Sequence, residues 1–121
     1  MDEATINQGV PIRGTGPVII SLVLDDIKEY PDTLKSDFIR RASQGELKYG
    51  YPLQSNNGRD SLADLYQEIL DAVLYSKQRL GENFVTKAEQ IVIQQTYNTC
   101  LDICNTLHKM IQKRKGKKHA R

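Results

Sequence analysis

Apolar residues recur every three or four positions through the second half of the chain. That pattern divides this half into two strong helices. Between Ser61 and Leu80, the residues Leu62, Leu65, Tyr66, Ile69, Leu70, Val73, Leu74 and Leu80 keep the period of an amphipathic helix. Ser61 and Asp64 form a capping-box pattern at its start, and Gly81 follows its end. A further helix is expected from Thr86 to Lys113, with Thr86 and Glu89 as a second capping box. Its Ile93, Tyr97, Cys100, Cys104, Leu107 and Ile111 alternate at spacings of four and three, as in a coiled-coil seam. Val92, Ile103 and Met110 widen the stripe. So broad a stripe on so long a helix predicts two contacts, one with the chain's own core and one with a partner subunit.

The first half is less regular. Pro17 suits the first position of a helix, because its missing N–H is not needed there. The first helix is read from Pro17 to Tyr30 and ended by Pro31, although the β-branched residues of Val18–Leu24 also fit a strand. Asp32 or Thr33 caps a second helix reaching Leu47, with Leu34, Phe38, Ile39 and Ala42 as a thin apolar stripe. Residues 48–60 read as a long loop rich in turn-formers, with Asn57-Gly58 its strongest turn signal. Long ordered loops are more often functional than linking. The expected fold is all-α, a bundle of about four helices with a long final helix. It has an N-terminal arm over 1–16, a single helical domain over 17–113 and a basic tail over 114–121.

Charge adds a polarity to this picture. From Lys109 onward there are seven Lys or Arg and no Asp or Glu. The rest of the chain carries ten basic and fifteen acidic residues, a formal −5. A nucleic-acid-binding domain normally carries its basic groups on the folded body, so nucleic acid is expected to touch only the tail, and weakly. The longest apolar run, Val18–Leu24, is far too short to span a bilayer. The acidic start is unlike a signal peptide. Cys100 and Cys104, four apart on one helix, are poorly placed for a disulfide, and His108 and His119 do not complete a zinc set. Free thiols point to a reducing, cytoplasmic setting.

Three groups of residues are candidates for chemistry. Asp60, Asp64, Glu68 and Asp71 share one sector of the third helix, opposite its apolar stripe, with Tyr75 one turn beyond. Such a face is commonly just solvated, but Asp64, Glu68 and Asp71 are also oxygen ligands suited to Mg²⁺ with substrate phosphates. The final helix carries Gln90, Gln94, Gln95, Asn98, Asp102 and Asn105 on its outer face. These amides, Asn98 among them, fit either a polar helix interface or the recognition of a base or ribose edge. The loop brings Lys48 and Arg59 as cations for phosphate, Tyr49 and Tyr51 as stacking rings, and Gly50 and Gly58 as points of close backbone approach. No Walker A pattern and no Ser-His-Asp arrangement is present.

The stretches Lys48-Tyr49-Gly50, Pro52-Leu53-Gln54, Asn57-Gly58-Arg59-Asp60 and Tyr66-Gln67-Glu68-Ile69-Leu70-Asp71 resemble a group of short phage and prophage helical proteins. More remotely they resemble the MazG-like all-α nucleoside triphosphate pyrophosphohydrolases. The match covers roughly residues 38–80. The resemblance implies paired acidic helices holding Mg²⁺. Glu68 and Asp71 stand either for the first acidic element, with Glu89 in the second, or for the second, with Asp25, Asp26 and Glu29 as the first. In both alignments the acidic set is incomplete. The reading that follows is an oligomeric phage-type protein that binds a nucleotide-like ligand without turnover. By analogy with phage nucleotide sponges, it sequesters a host signalling or cyclic nucleotide as an anti-defence device. The alternatives are a Mg²⁺-dependent pyrophosphohydrolase and a protein–protein interaction module.

Overall fold

Four helices and one small antiparallel ribbon make up the structure, a computed structural model that describes residues 3–83 and 85–119, with side chains through Lys117. The order is β1 (Thr15–Val18), α1 (Ile19–Asp26), α2 (Asp32–Tyr49), β2 (Gln54–Ser55), α3 (Ser61–Leu80) and α4 (Lys87–His119). The expected helical class and long final helix are present. No helix is long and apolar enough to cross a membrane. The chain forms two compact units. One joins Met1–Asn7 to Asp60–Arg121, and the other is Gln8–Arg59.

The first unit is a hairpin of α3 and α4. Asp60, rather than Ser61, is the N-cap of α3, and its Oδ1 accepts from the Leu62 and Ala63 backbone N–H groups at 3.1 and 3.3 Å. Ser61 is already the first helical residue. The cap of α4 is as the sequence indicates, with the Glu89 N–H donating to Thr86 Oγ1 at 3.2 Å. Arg79 closes the turn between the helices on Glu82 at 3.3 Å and Glu89 at 2.7 Å. The seam of α4 supplies the core: Cys104, Leu107 and Ile111 are buried, together with Ala63 of α3. Burial pushes the Cys104 thiol up, and neighbouring Cys100 adds to this. A helix with one partner buries only a narrow stripe, so Leu65 and Leu74, both inside the expected stripe, stay 49% and 66% exposed.

α4 continues past Lys113 because its basic end is neutralised. Arg114 Nη2 donates to Asp60 Oδ2 at 2.8 Å, and Lys115 Nζ lies 2.7 Å from Glu3 Oε2. The start of the chain is fixed on the same hairpin, since Gln67 Nε2 donates to the carbonyls of Glu3 and Ile6 at 3.0 and 2.9 Å.

The Gln8–Arg59 unit is built differently. Pro17 lies in β1 instead of starting α1, which begins two residues later. Thr15 pairs with Ser55 and Val18 with Gln54 across an irregular register. The approach is close at Gly14, where an added Cβ would run into the Ser55 carbonyl oxygen. The Ile19 N–H donates to the Leu53 carbonyl at 2.9 Å, which holds the chain extended up to that point. α2 runs through Gly45 and stops at Gly50, a left-handed cap (φ 84°) whose N–H reaches the Glu46 carbonyl at 2.8 Å. The expected loop over 48–60 is therefore shorter and contains a strand.

Two outcomes test this account. Ile111, 2% exposed, should cost about 2–4 kcal/mol when changed to Ala, read as a lower urea midpoint. The second concerns pH. Burial raises the Asp60 carboxyl, but Arg114 and the Ala63 and Leu62 N–H groups outweigh it and hold Asp60 below the usual carboxylate range. Glu3 is lowered mainly by its hydrogen bond from Lys115, against a smaller opposing effect of burial. Both contributions are present above the unfolded pKa values, near about 4, and are lost as pH falls through the lower folded ones. Arg114→Ala should flatten the fall in stability across that acid window, measured by urea titration at a series of pH values.

Candidate functional site

The four loop candidates come together in the Gln8–Arg59 unit. α2 delivers Lys48 and Tyr49 in its last turn, and the left-handed Gly50 turns the chain so that Tyr51 follows at the edge of the ribbon. Lys48 Nζ lies 5.1 Å from the centroid of the Tyr49 ring, and Arg59 Cζ lies 5.9 Å from it. Arg13 Cζ stands 5.4 Å from the Tyr51 centroid. Two clusters thus form, Lys48 and Arg59 against Tyr49 and Arg13 against Tyr51, each cation over the electron-rich face of a tyrosine.

Arg59 also has a structural duty. Its Nη1 donates to the carbonyls of Gly9 at 2.8 Å and Gln8 at 3.4 Å, and its backbone N–H donates to Asn57 Oδ1 at 3.2 Å. It clasps the arm to the turn. Asn57, itself buried, completes the clasp by accepting the Ile12 N–H at 2.9 Å. Asn56 and Gly58 take up the positive φ angles of 58° and 83° that this turn requires.

Tyr49 and Tyr51 also line a cavity of about 580 Å³ whose walls are Val18, Ile19, Val23 and Leu24 on one side and Phe38, Ile39 and Ala42 on the other. Arg41, Ser43, Glu46 and Asn57 add a few polar groups. Neither α1 nor α2 contains a buried residue. Phe38, Ile39 and Leu53 are 41%, 46% and 63% exposed. The place where this unit would keep a core is an open apolar hollow. The sequence shows the apolar runs but reads them as ordinary core, and Arg13 falls in a segment with no periodicity.

The other candidates lie in the α3–α4 unit. Asp60 is taken up by the helix cap and Arg114. Glu68 and Asp71 are exposed, Asp64 is half-buried, and Tyr75 is 67% exposed. Among the described residues no three His, Cys, Asp or Glu side chains come together as a metal site. Asp64, Glu68 and Asp71 form a row along one helix without the facing carboxylates that would wrap a cation. Among the described residues this row does not by itself make up a Mg²⁺ site. Asn98 Oδ1 accepts from Gln94 Nε2 at 3.0 Å on the exposed amide face. Gln90, Gln94 and Gln95 line a shallow cleft with Lys77, Leu80 and Ile91.

Comparison with protein-family models, with curated proteins and with solved structures gives no match.

Arg59→Ala should lower the stability of the protein by about 1–2 kcal/mol, the worth of its hydrogen bonds and ring contact. Lys48→Ala, which removes an exposed chain, should leave the urea midpoint nearly unchanged.

Proposed function

We propose that the chain binds, without turning it over, a small molecule with a flat or apolar body and an anionic group, a nucleotide-like ligand. The observation that carries this reading is the hollow in place of a core, lined by Tyr49 and Tyr51, with Lys48 and Arg59 against the first ring and Arg13 against the second. Its apolar walls are half-exposed, and such a concave apolar surface with few polar groups is the usual make-up of a ligand site.

Size favours a small molecule over a helix of another protein. One turn of a helix 10 Å across fills roughly 420 Å³. The cavity, about 580 Å³, holds little more than one turn. That volume lies inside the range of roughly 300–1,000 Å³ typical of small-ligand pockets. A base seated between Phe38 and Tyr51 leaves its phosphate at the rim, where Lys48 and Arg13 reach it. Sequestering such a ligand, as a nucleotide sponge does, requires no further group. Hydrolysis requires metal ligands, and the row Asp64, Glu68 and Asp71 would need carboxylates from elsewhere to supply them.

Calorimetric titration with mono-, di- and cyclic nucleotides, with and without Mg²⁺, tests the reading. Binding should appear without Mg²⁺, and at a hundredfold excess over Kd it should stabilise the fold by about 2.7 kcal/mol. Lys48→Glu and Arg13→Glu should each weaken it by at least about tenfold, in keeping with the loss of a hydrogen bond to a charged group. Ala42→Leu should block it by filling the cavity. Binding of no nucleotide at all, or binding indifferent to all three variants, would remove the proposal. Mg²⁺-dependent release of pyrophosphate that Glu68→Gln abolishes would replace it with the hydrolase reading.

A further inference from the structure

α4 carries a second seam beside the one that packs on α3. Val92, Thr96, Thr99, Ile103, Thr106 and Met110 follow at spacings of four, three, four, three and four. At 100° per residue this row lies about 100° around the helix from Ile93, Cys104 and Ile111. Every member is exposed, and Val92, Ile103 and Met110 are 60%, 38% and 51% exposed. Thr96 Oγ1 donates to the Val92 carbonyl at 2.9 Å, so its hydroxyl is satisfied within the helix. The row is straight, about 27 Å long, and repeats as a knobs-into-holes seam does.

We propose that this row is a homodimer interface, closed by the same row of a second copy running antiparallel. The order of the residues selects both the partner and the direction. About a two-fold axis level with residue 101, Val92 meets Met110, Thr96 meets Thr106 and Thr99 meets Ile103. Two of these three layers join a smaller side chain to a larger one, and the third joins two threonines. Parallel pairing instead stacks Met110 on Met110 and Ile103 on Ile103 beside threonine-only layers, which leaves gaps and bulges in alternation.

Charge favours the same direction. Beside the paired Arg114 and Lys115, Lys109, Lys113, Lys117 and Lys118 leave the C-terminal end of α4 basic. A parallel pair brings two such ends together, with like charges opposed. An antiparallel pair sets each basic end against the other copy's N-terminal half, where Lys113 is level with Glu89. The row is the same surface on both copies, so the contact is self-complementary and closes at two.

Light scattering and sedimentation on the full chain test this. The protein should be a dimer at micromolar concentration. Ile103→Glu should raise the dimer Kd by at least about a hundredfold, because it buries an unpaired charge in the seam. Circular dichroism should show its helix content unchanged, since Ile103 is outside the hairpin core. Thr99→Lys gives the same reading should Ile103→Glu fail to fold. Leu101→Glu, on the opposite side of α4, should leave the dimer intact. Direction is read by oxidation. In a background with Cys100→Ser and Cys104→Ala, Thr99→Cys chains mixed with Ile103→Cys chains should cross-link to each other faster than either does alone. A monomeric wild type, a dimer that survives both seam variants, or dissociation by Leu101→Glu overturns the interface. Faster cross-linking within each single variant overturns its antiparallel direction. None of these readings depends on a ligand, so they stand apart from the binding proposal.

Discussion

The carboxylate of Asp60 holds both ends of the α3–α4 hairpin at once. It caps the first turn of α3 through the Leu62 and Ala63 N–H groups, and it takes the guanidinium of Arg114 from the last turns of α4. A cap is worth about 1 kcal/mol, and a half-exposed ion pair adds at most about the same after screening. The larger effect is geometric. Fixing Arg114 beside Asp60 sets the register in which Cys104, Leu107 and Ile111 meet α3. It also draws in Glu3, which lies 3.8 Å from Arg114 and 2.7 Å from Lys115. Six basic residues in the last turns of α4 would otherwise oppose their own folding. Two carboxylates, Asp60 at the cap of α3 and Glu3 far upstream of it, make that end part of the fold.

The Gln8–Arg59 unit is ordered by other means. Its buried positions are Pro11 and Asn57 rather than a cluster of large apolar side chains. A set of long-range hydrogen bonds does the holding: Ile12 to Asn57, Ile19 to Leu53, Gln54 to Gly16, Asn56 to Thr15 and Arg59 to Gly9. Each is modest in net terms, about 0.5–1.5 kcal/mol, and those of Gln54, Asn56 and the Arg59–Gly9 contact are exposed, so the holding comes from their number. Polar stitching on one side lets the apolar walls of α1 and α2 stay apart. The cavity is thus a consequence of how the unit is held together.

Local signals in the sequence reach as far as local physics does. The periodicity of Leu62–Leu80 and Ile93–Ile111 places α3 at both ends and α4 at its start to within a residue, because one helix face against one partner is what such a pattern encodes. Thr86 and Glu89 mark the start of α4 for the same reason. Pro17 misleads because its fixed φ suits a helix start and an extended strand alike, and only the distant Gln54–Ser55 decides between them. Asp60 and Ser61 are both good caps, and backbone angles rather than residue type assign the role to Asp60 (φ −82°, ψ 100°). The helical end of α4 depends on Glu3, over a hundred residues away, which no local reading pairs with Lys115. Of the candidate site, the tyrosines and cations are legible as a cluster in one segment. Their apolar cavity is not, since Phe38 and Ile39 look the same in sequence whether they face a neighbour or a hollow.

The distribution of charge limits what can be recognised and how. Residues 8–59 hold seven Lys or Arg and six Asp or Glu, so this unit is nearly neutral. A neutral body exerts little long-range attraction on a polyanion, and exposed charges more than about 8 Å apart are screened at physiological salt. Within it Asp25, Asp32 and Asp37 pair with Lys28, Lys35 and Arg40, whereas Arg13, Lys48 and Arg59 lie against tyrosine rings. On the proposed reading, attraction for an anion is short-ranged and local to those rings. That arrangement disfavours nucleic acid, whose binding rests on many phosphate contacts spread along a basic face. It suits the proposed compact ligand, whose body the apolar surface would hold and whose one or two charges the cations would orient.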